Sequence, residues 1–463
     1  MGSKAHALLE GLTRWWGSKR VATTADFESM AVVLLSGKGE ASGVALASHL
    51  LAAYAALPRT QHRRFFELLA TRFGPNLATM RDAVADFMQA PDAESAARLH
   101  VVAEPRRQEL VRRMNLAPRG TSQLVRMRED LLTTMKDEPS LALVDADFRH
   151  LFASWFNRGF LSLQRIDWST PAHILEKIIR YEAVHEITSW DDLRLRLEPA
   201  DRRCFAFFHP ALSGEPLIFV EVALTNEVPS SIAPLLASSR APVTPDRATT
   251  AVFYSISNCQ PGLRGISFGN FLIKQVVEDL VKERPSLKTF VTLSPVPNFA
   301  SWVGSVLADT DTNLVTPSER QRLAVLSDPD WAHSEQIAGA LKPVLLRLAA
   351  HYFLVAKAGD GRPLDPVARF HLGNGARLER INWLGDPSPK GLGEAHGLMV
   401  NYRYEVKDIE RNHEAYANEG SVAASRQVHG FLKAERARPE GRKLLQIAGL
   451  RPGKSGPEQE EGK

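Results

Sequence analysis

Residues 251–299 constrain the fold of this chain more than any other stretch. From Ala251 to Ser257 the residues are β-branched, aromatic or small, which predicts a strand. Pro261, Gly262, Gly265 and Gly269 then break the pattern, after which Leu272, Ile273, Val276, Val277 and Leu280 recur at the spacing of one helical face. A second apolar run, Phe290 to Leu293, stops in Ser294-Pro295-Val296-Pro297, so a hydroxyl falls where a buried strand has to end. Strand, glycine turn, helix and strand make a βαβ-like unit with a polar site at its mouth.

A glycine-rich turn leading into a helix exposes backbone N–H groups, and the helix dipole adds partial positive charge, so such a turn can hold a pyrophosphate. Arg264-Gly265-Ile266-Ser267-Phe268-Gly269 fits neither the dinucleotide fingerprint GxGxxG nor the GxxxxGKS/T loop. It resembles the RGxGxG turn of the GNAT acyltransferase fold, which carries the pyrophosphate of coenzyme A, with Ser267 replacing the middle glycine. On that resemblance Arg264, Gly265, Ser267, Gly269 and Asn270 are the candidate coenzyme A contacts. An ordinary glycine-punctuated turn accounts for the same residues, and the choice between the two stays open on these residues alone.

At 463 residues the chain exceeds what one core usually covers, so two or three domains are expected. Its 44% hydrophobic and 24% charged residues describe a globular protein, and Lys and Arg are interleaved with Asp and Glu to leave a net charge of +4, which argues against nucleic acid. Apolar runs fall short of the roughly 20 residues that span a bilayer, and the first residues lack a signal-peptide core, so a soluble cytoplasmic protein without a membrane partner is expected. Cys204 and Cys259 are too few for a disulfide framework or a Cys-rich metal site and lie in apolar runs, where a buried thiol is expected.

From Ala41 to about Arg158 apolar residues recur three to four apart in seven segments separated by short polar, Pro or Gly breaks. This predicts an all-α helical bundle, residues 1–158, with no site-like cluster of its own and therefore a scaffold or association surface. Met1 to Glu40 is less regular. Beyond Gly159 the pattern becomes mixed α/β and defines a second domain, 159–463. It opens with a helix capped by Thr170 with Pro171 in its first turn, followed by strands at Cys204–Pro210 and Leu217–Thr225 joined by a turn. Helices are expected at Asn298–Leu307 and Ser334–Val355. Residues 366–404 set His371, Asn374, Arg380, Asn382, Asn401, Arg403 and Tyr404 among Gly and Trp with little regular period, as in a functional loop on a scaffold. About 435–463, rich in charge, Gly and Pro, is expected to be largely disordered.

The second half strongly resembles the malonyl-CoA decarboxylase family. The segments IDWSTPAHILEKIIRYEAVHEI, GEPLIFVEVALT, AVFYSIS, GNFLIKQVV, TLSPVPNF, FHLGNGA, RINW and GLMVNYRY stand in that family's order between Ile166 and Tyr404. The resemblance implies an α+β chain, a helical oligomerisation domain followed by a GNAT-like catalytic domain, acting as a carboxy-lyase on malonyl-CoA in fatty acid metabolism. It also implies a homo-oligomer, for instance a tetramer, and no cofactor or metal beyond the coenzyme A carried by substrate and product. The family's catalytic serine falls on Ser294, its histidine on His371 and the tyrosine lining its site on Tyr404. Animal members carry an active-site glutamate in the turn before the helix, where this chain has Ser267, so that group's role does not transfer.

Decarboxylation of a malonyl thioester needs an electron sink at the thioester carbonyl and a proton for the resulting enolate. A hydroxyl coupled to an imidazole can serve both needs, and donor chemistry is favoured over a serine nucleophile because TLSPVP is not a GxSxG elbow. A GNAT-type acyltransferase and a non-catalytic coenzyme A-binding scaffold are the two alternatives.

Overall fold

The computed structural model describes residues 23–37, 39–266 and 272–433. Within these the chain is α+β, as expected, and divides into two compact units: residues 23–164 with 207–218 and 258–266, and residues 165–206, 219–257 and 272–433.

The first unit carries the expected helical succession, at Glu40–Ala55, Arg59–Arg72, Leu77–Gln89, Ala93–Ala103, Arg106–Asn115, Gly120–Thr134 and Ala142–Trp155. Local chemistry sets several starts: the Asn76 side chain accepts from the Ala78 and Thr79 amides, and Asp92 and Ser95 cap each other reciprocally. One helix escapes the sequence pattern. Thr24–Ser36 lies in the stretch read as irregular, yet Thr23 and Asp26 form a capping box at its start and Phe27, Met30, Ala31 and Leu34 are buried. Phe27 meets Phe65 edge-on at 4.5 Å between ring centroids, a contact no local pattern encodes.

Gly262 is held against the helix Gly120–Thr134, where a Cβ would come within 1.9 Å of the Val125 carbonyl oxygen. Gly262→Ala must therefore push backbone from backbone, and the expected loss is ~1–3 kcal/mol of stability in urea unfolding. An unchanged unfolding midpoint would show that this packing is not tight.

An eight-stranded sheet has most of its residues in the second unit. Its strands are β1 Ser162–Ile166, β2 Arg202–Phe208, β3 Pro216–Thr225, β4 Thr250–Asn258, β5 Thr289–Thr292, β6 Ser294–Pro295, β7 Arg377–Asn382 and β8 Met399–Arg403. The order is β1-β2-β3-β4-β5-β8-β6, with β7 also on β8. The βαβ expectation holds: β4 and β5 pair in parallel from Thr250↔Thr289 to Phe253↔Thr292, and the helix Leu272–Glu283 connects them. Cys204 and Cys259 are buried and form no disulfide. The helix Glu335–Leu354 is long and apolar enough to cross a membrane, against the expectation from apolar runs. It is largely buried within the fold, so its apolar surface is spent on the core.

Three expectations need correction. The helix Ala172–Tyr181 is capped by Pro171, and the Thr170 hydroxyl instead accepts from the Asp167 amide. Residues 366–404 are not a loop: they form the helix Pro366–Gly373, β7, the helix Pro389–Ala395 and β8, elements of five to eight residues, too short to declare a period. Nor does Ser294 close a strand; it opens β6, which pairs antiparallel with β8 at Ser294↔Val400. The tail from 434 and the turn residues Ser267, Gly269 and Asn270 lie outside the described residues.

Candidate active site

β5 and β6 meet β8 in one antiparallel register, Val291↔Arg403 before the break and Ser294↔Val400 after it, which sets Thr292 opposite Tyr402. Between these pairs side chains take over from the backbone ladder. The Tyr402 amide donates to the Thr292 hydroxyl at 3.1 Å, and Asn401 Nδ2 donates to the Thr292 carbonyl at 2.7 Å. Asn401 is itself fixed, its Oδ1 accepting from Asn382 Nδ2 at 2.9 Å and Arg380 Nε at 3.0 Å. Side chains two apart on a strand share a face, so Thr292 and Ser294 sit side by side, and Ser294 Oγ donates to Thr292 Oγ1 at 2.8 Å.

His371 arrives from the helix Pro366–Gly373. Asp365 starts that helix by accepting from the Ala368 amide, and Pro366 occupies its first turn. Near the other end the His371 carbonyl accepts from the amides of Asn374 and Ala376, which ties the imidazole's backbone down. Its Nε2 lies 3.2 Å from Ser294 Oγ and its Nδ1 lies 2.8 Å from Tyr404 Oη. The ring stacks on Tyr402 at 4.6 Å between centroids and 24° between planes. Tyr404 follows β8, its amide donating to the Phe290 carbonyl at 2.8 Å.

Three residues far apart in the chain, Ser294, His371 and Tyr404, thus form one buried hydrogen-bonded line. Burial dominates its electrostatics. Desolvation pushes the imidazole of His371 down to about 3 and raises the phenol of Tyr404 well above its ordinary value, so both are neutral at physiological pH. Burial likewise lifts the Asp365 carboxyl, to about 6. A neutral hydroxyl–imidazole–phenol line can donate hydrogen bonds and pass protons without adding net charge to the pocket.

Of the candidate coenzyme A contacts, Arg264 and Gly265 are described. Gly265 has φ of +77°, a conformation that favours glycine, and a Cβ there would meet none of the described residues within 4 Å, so toward them one side of the turn's backbone is open. The turn is anchored by a residue the sequence reading passed over. Arg128 Nη1 donates to the carbonyls of Gly262 at 2.7 Å and Arg264 at 2.9 Å, and its Nε donates to Asp145 at 2.7 Å. Thr292, Tyr402 and Asp365 were passed over as well. Asp365-Pro366 carried a legible start signal for the helix bearing His371, and Thr292 two places before Ser294 carried a legible shared face.

Comparison with known proteins identifies the family. The malonyl-CoA decarboxylase N-terminal domain matches residues 73–156 and the malonyl-CoA decarboxylase C-terminal domain matches residues 159–441. The mitochondrial malonyl-CoA decarboxylase of Anser anser anser is 37% identical over 396 residues, covering 79% of this chain and 78% of that protein. The corresponding protein of Rattus norvegicus is 37% identical over 368 residues, covering 74% and 73%. The crystal structure of malonyl-CoA decarboxylase from Rhodopseudomonas palustris is 57% identical, with a TM-score of 0.87 over 88% of this chain and 100% of that one. That from Agrobacterium vitis is 56% identical, with a TM-score of 0.84 over 88% and 99%. With its own site geometry and these matches together, the chain belongs to the malonyl-CoA decarboxylase family, a family of carboxy-lyases.

Proposed function

We propose that the protein converts malonyl-CoA to acetyl-CoA and CO₂, with Ser294 and His371 stabilising and protonating the enolate and Tyr404 holding the imidazole. The observation that carries this assignment is the buried Ser294–His371–Tyr404 line in a chain of this family. Breaking the carboxylate's C–C bond sends its electron pair into the thioester carbonyl, and CO₂ leaves. A hydrogen bond from Ser294, backed by His371, acts on the developing enolate oxygen, in a pocket where poor solvation strengthens it. A proton then reaches the carbon through the same pair and is replaced from solvent, so each turnover consumes one proton. No leaving group is displaced, so the serine need not be acylated, and the chemistry in itself requires neither a metal nor a redox group.

Coenzyme A is assigned to the turn 263–271, its pyrophosphate on backbone amides with Arg264, Gly265, Ser267, Gly269 and Asn270 as contacts. The open backbone at Gly265 supports this, and Ser267 on this account touches phosphate instead of donating a proton. The parallel β4–β5 pair with an intervening helix supports the GNAT-like description of the catalytic part.

The helical part is assigned to homo-oligomerisation. In the hairpin Leu77–Gln89 and Ala93–Ala103 only Ala83 is buried, while Leu77, Met88 and Val101 are exposed. Malonyl-CoA is the assigned partner, with neither nucleic acid nor membrane, and the cytoplasm the assigned place. The test is incubation with malonyl-CoA, with and without an amine acceptor, followed by mass spectrometry. Acetyl-CoA and CO₂ in equal amounts are expected, whereas an acylated amine or intact substrate would refute the assignment.

A neutral His371 also has a pH consequence. Its folded value near 3 lies below the ordinary 6.5, so it stays uncharged throughout the range above about pH 4. Lowering the pH from 8 to 5 is expected to cost no turnover through this residue. The unfolded chain takes up a proton there below about pH 6.5 that the folded one refuses, so stability falls as pH drops toward 3. An activity loss with an apparent pKa near 6.5 that vanishes in His371→Gln would contradict this.

A further inference from the structure

The hydrogen bonds around Ser294 have a direction. Among the described residues Ser294 Oγ has two side-chain hydrogen-bond partners, Thr292 Oγ1 at 2.8 Å and His371 Nε2 at 3.2 Å, and a serine hydroxyl owns one hydrogen. In the resting enzyme that hydrogen is given to Thr292, and it turns to the enolate oxygen only when substrate is bound. The contact with the imidazole must then be donated from the ring, which puts the ring's hydrogen on Nε2 and leaves the Nδ1 lone pair facing Tyr404. Tyr404 Oη, 2.8 Å from Nδ1, supplies a matching hydrogen, since a buried phenol facing a lone pair donates to it. The three bonds run one way, from Tyr404 to His371 to Ser294 to Thr292.

Thr292 is suited to be the end of that line. Its hydroxyl also receives the Tyr402 amide at 3.1 Å, a backbone donor that cannot reverse, and its carbonyl is pinned by Asn401 Nδ2. The residue is fully buried, so its hydroxyl keeps these partners. We propose that Thr292 is a positioning residue that sets the direction of the hydrogen-bond line, fixing His371 in the Nε2–H form and so denying Ser294 a base. This deepens the decarboxylase assignment and rests on it for its catalytic meaning. It supplies a physical reason for a serine beside a histidine to remain a hydrogen-bond donor: the lone pair that would activate it as a nucleophile belongs to the other ring nitrogen and is occupied by Tyr404. The alternative is a threonine that merely fills a strand and accepts a β8 amide.

The test has two readouts. Solid-state ¹⁵N NMR of histidine-labelled protein, with the His371 signals identified by subtraction of a His371→Gln sample, reads the tautomer of the resting enzyme without substrate. Nε2–H is expected. In Thr292→Val the serine hydrogen is released and turns to the ring, so the tautomer is expected to switch to Nδ1–H, with kcat for malonyl-CoA lower by ~10- to 100-fold and KM within about threefold. Thr292→Ser, which keeps the hydroxyl, should restore both. An Nδ1–H resting tautomer overturns the inference, as does Thr292→Val losing activity with its tautomer unchanged, or Thr292→Ser behaving like valine. If the valine variant does not fold, the wild-type tautomer and the serine variant decide. The tautomer is read in the absence of turnover, so its result stays separate from whether the protein decarboxylates malonyl-CoA at all.

Discussion

Ser294→Ala, His371→Ala and the double variant are each expected to lower kcat on malonyl-CoA by about 10²-fold or more, to similar extents and without adding up. A factor of 10² corresponds to about 2.7 kcal/mol of transition-state stabilisation, within the range for a lost oxyanion donor or proton-transfer group. Similar and non-additive losses follow because the two side chains meet in one hydrogen bond, so removing either disables the other. KM should move much less, since the interactions lost belong to the enolate more than to the bound thioester. Steady-state kinetics on folded variants checks this. Losses that multiply in the double variant would mean that the serine and the histidine act independently.

Arg128→Met is expected to have the largest effect on stability, about 3–5 kcal/mol in urea unfolding, because it strands Asp145 without its partner and frees two carbonyls. Lysine should not rescue it, since a single ammonium cannot reproduce the fork that serves a carboxylate and two carbonyls together. Removing both charges, in Arg128→Met with Asp145→Asn, should recover part of the loss. If the turn holds coenzyme A, affinity for it should fall as well, because Arg128 is what tethers Gly262 and Arg264 just ahead of Gly265. Stability within 1 kcal/mol of the parent would show that this buried pair carries no such weight.

What could be seen in the sequence follows from how local each signal is. The helical segments from Glu40 onward were legible because their apolar spacing persists over three or four turns. β4, the helix Leu272–Glu283 and β5 were legible because the period changes sharply on either side of Pro261 and the turn glycines. Thr24–Ser36 was not, since its buried face is completed by residues such as Phe65 from elsewhere in the chain. Ser294 could be found from a hydroxyl at the end of an apolar run. His371 and Tyr404 stood out only as two of several polar residues in 366–404, and their catalytic roles came with the family resemblance, because the helix and strand beside them are too short to announce themselves and 77 positions separate Ser294 from His371. Arg128 was invisible for a different reason: two of its partners are the backbone carbonyls of Gly262 and Arg264, which leave no mark on residue identity.

The central claim is decarboxylation by a hydrogen-bonded Ser294–His371 pair without an acyl-enzyme. Rapid-quench intact-protein mass spectrometry across a single turnover of malonyl-CoA tests it most directly. The account predicts that CO₂ and acetyl-CoA appear while the protein's mass never changes. A malonyl or acetyl adduct on Ser294 that forms and decays at the rate of turnover would contradict it and make the serine a nucleophile.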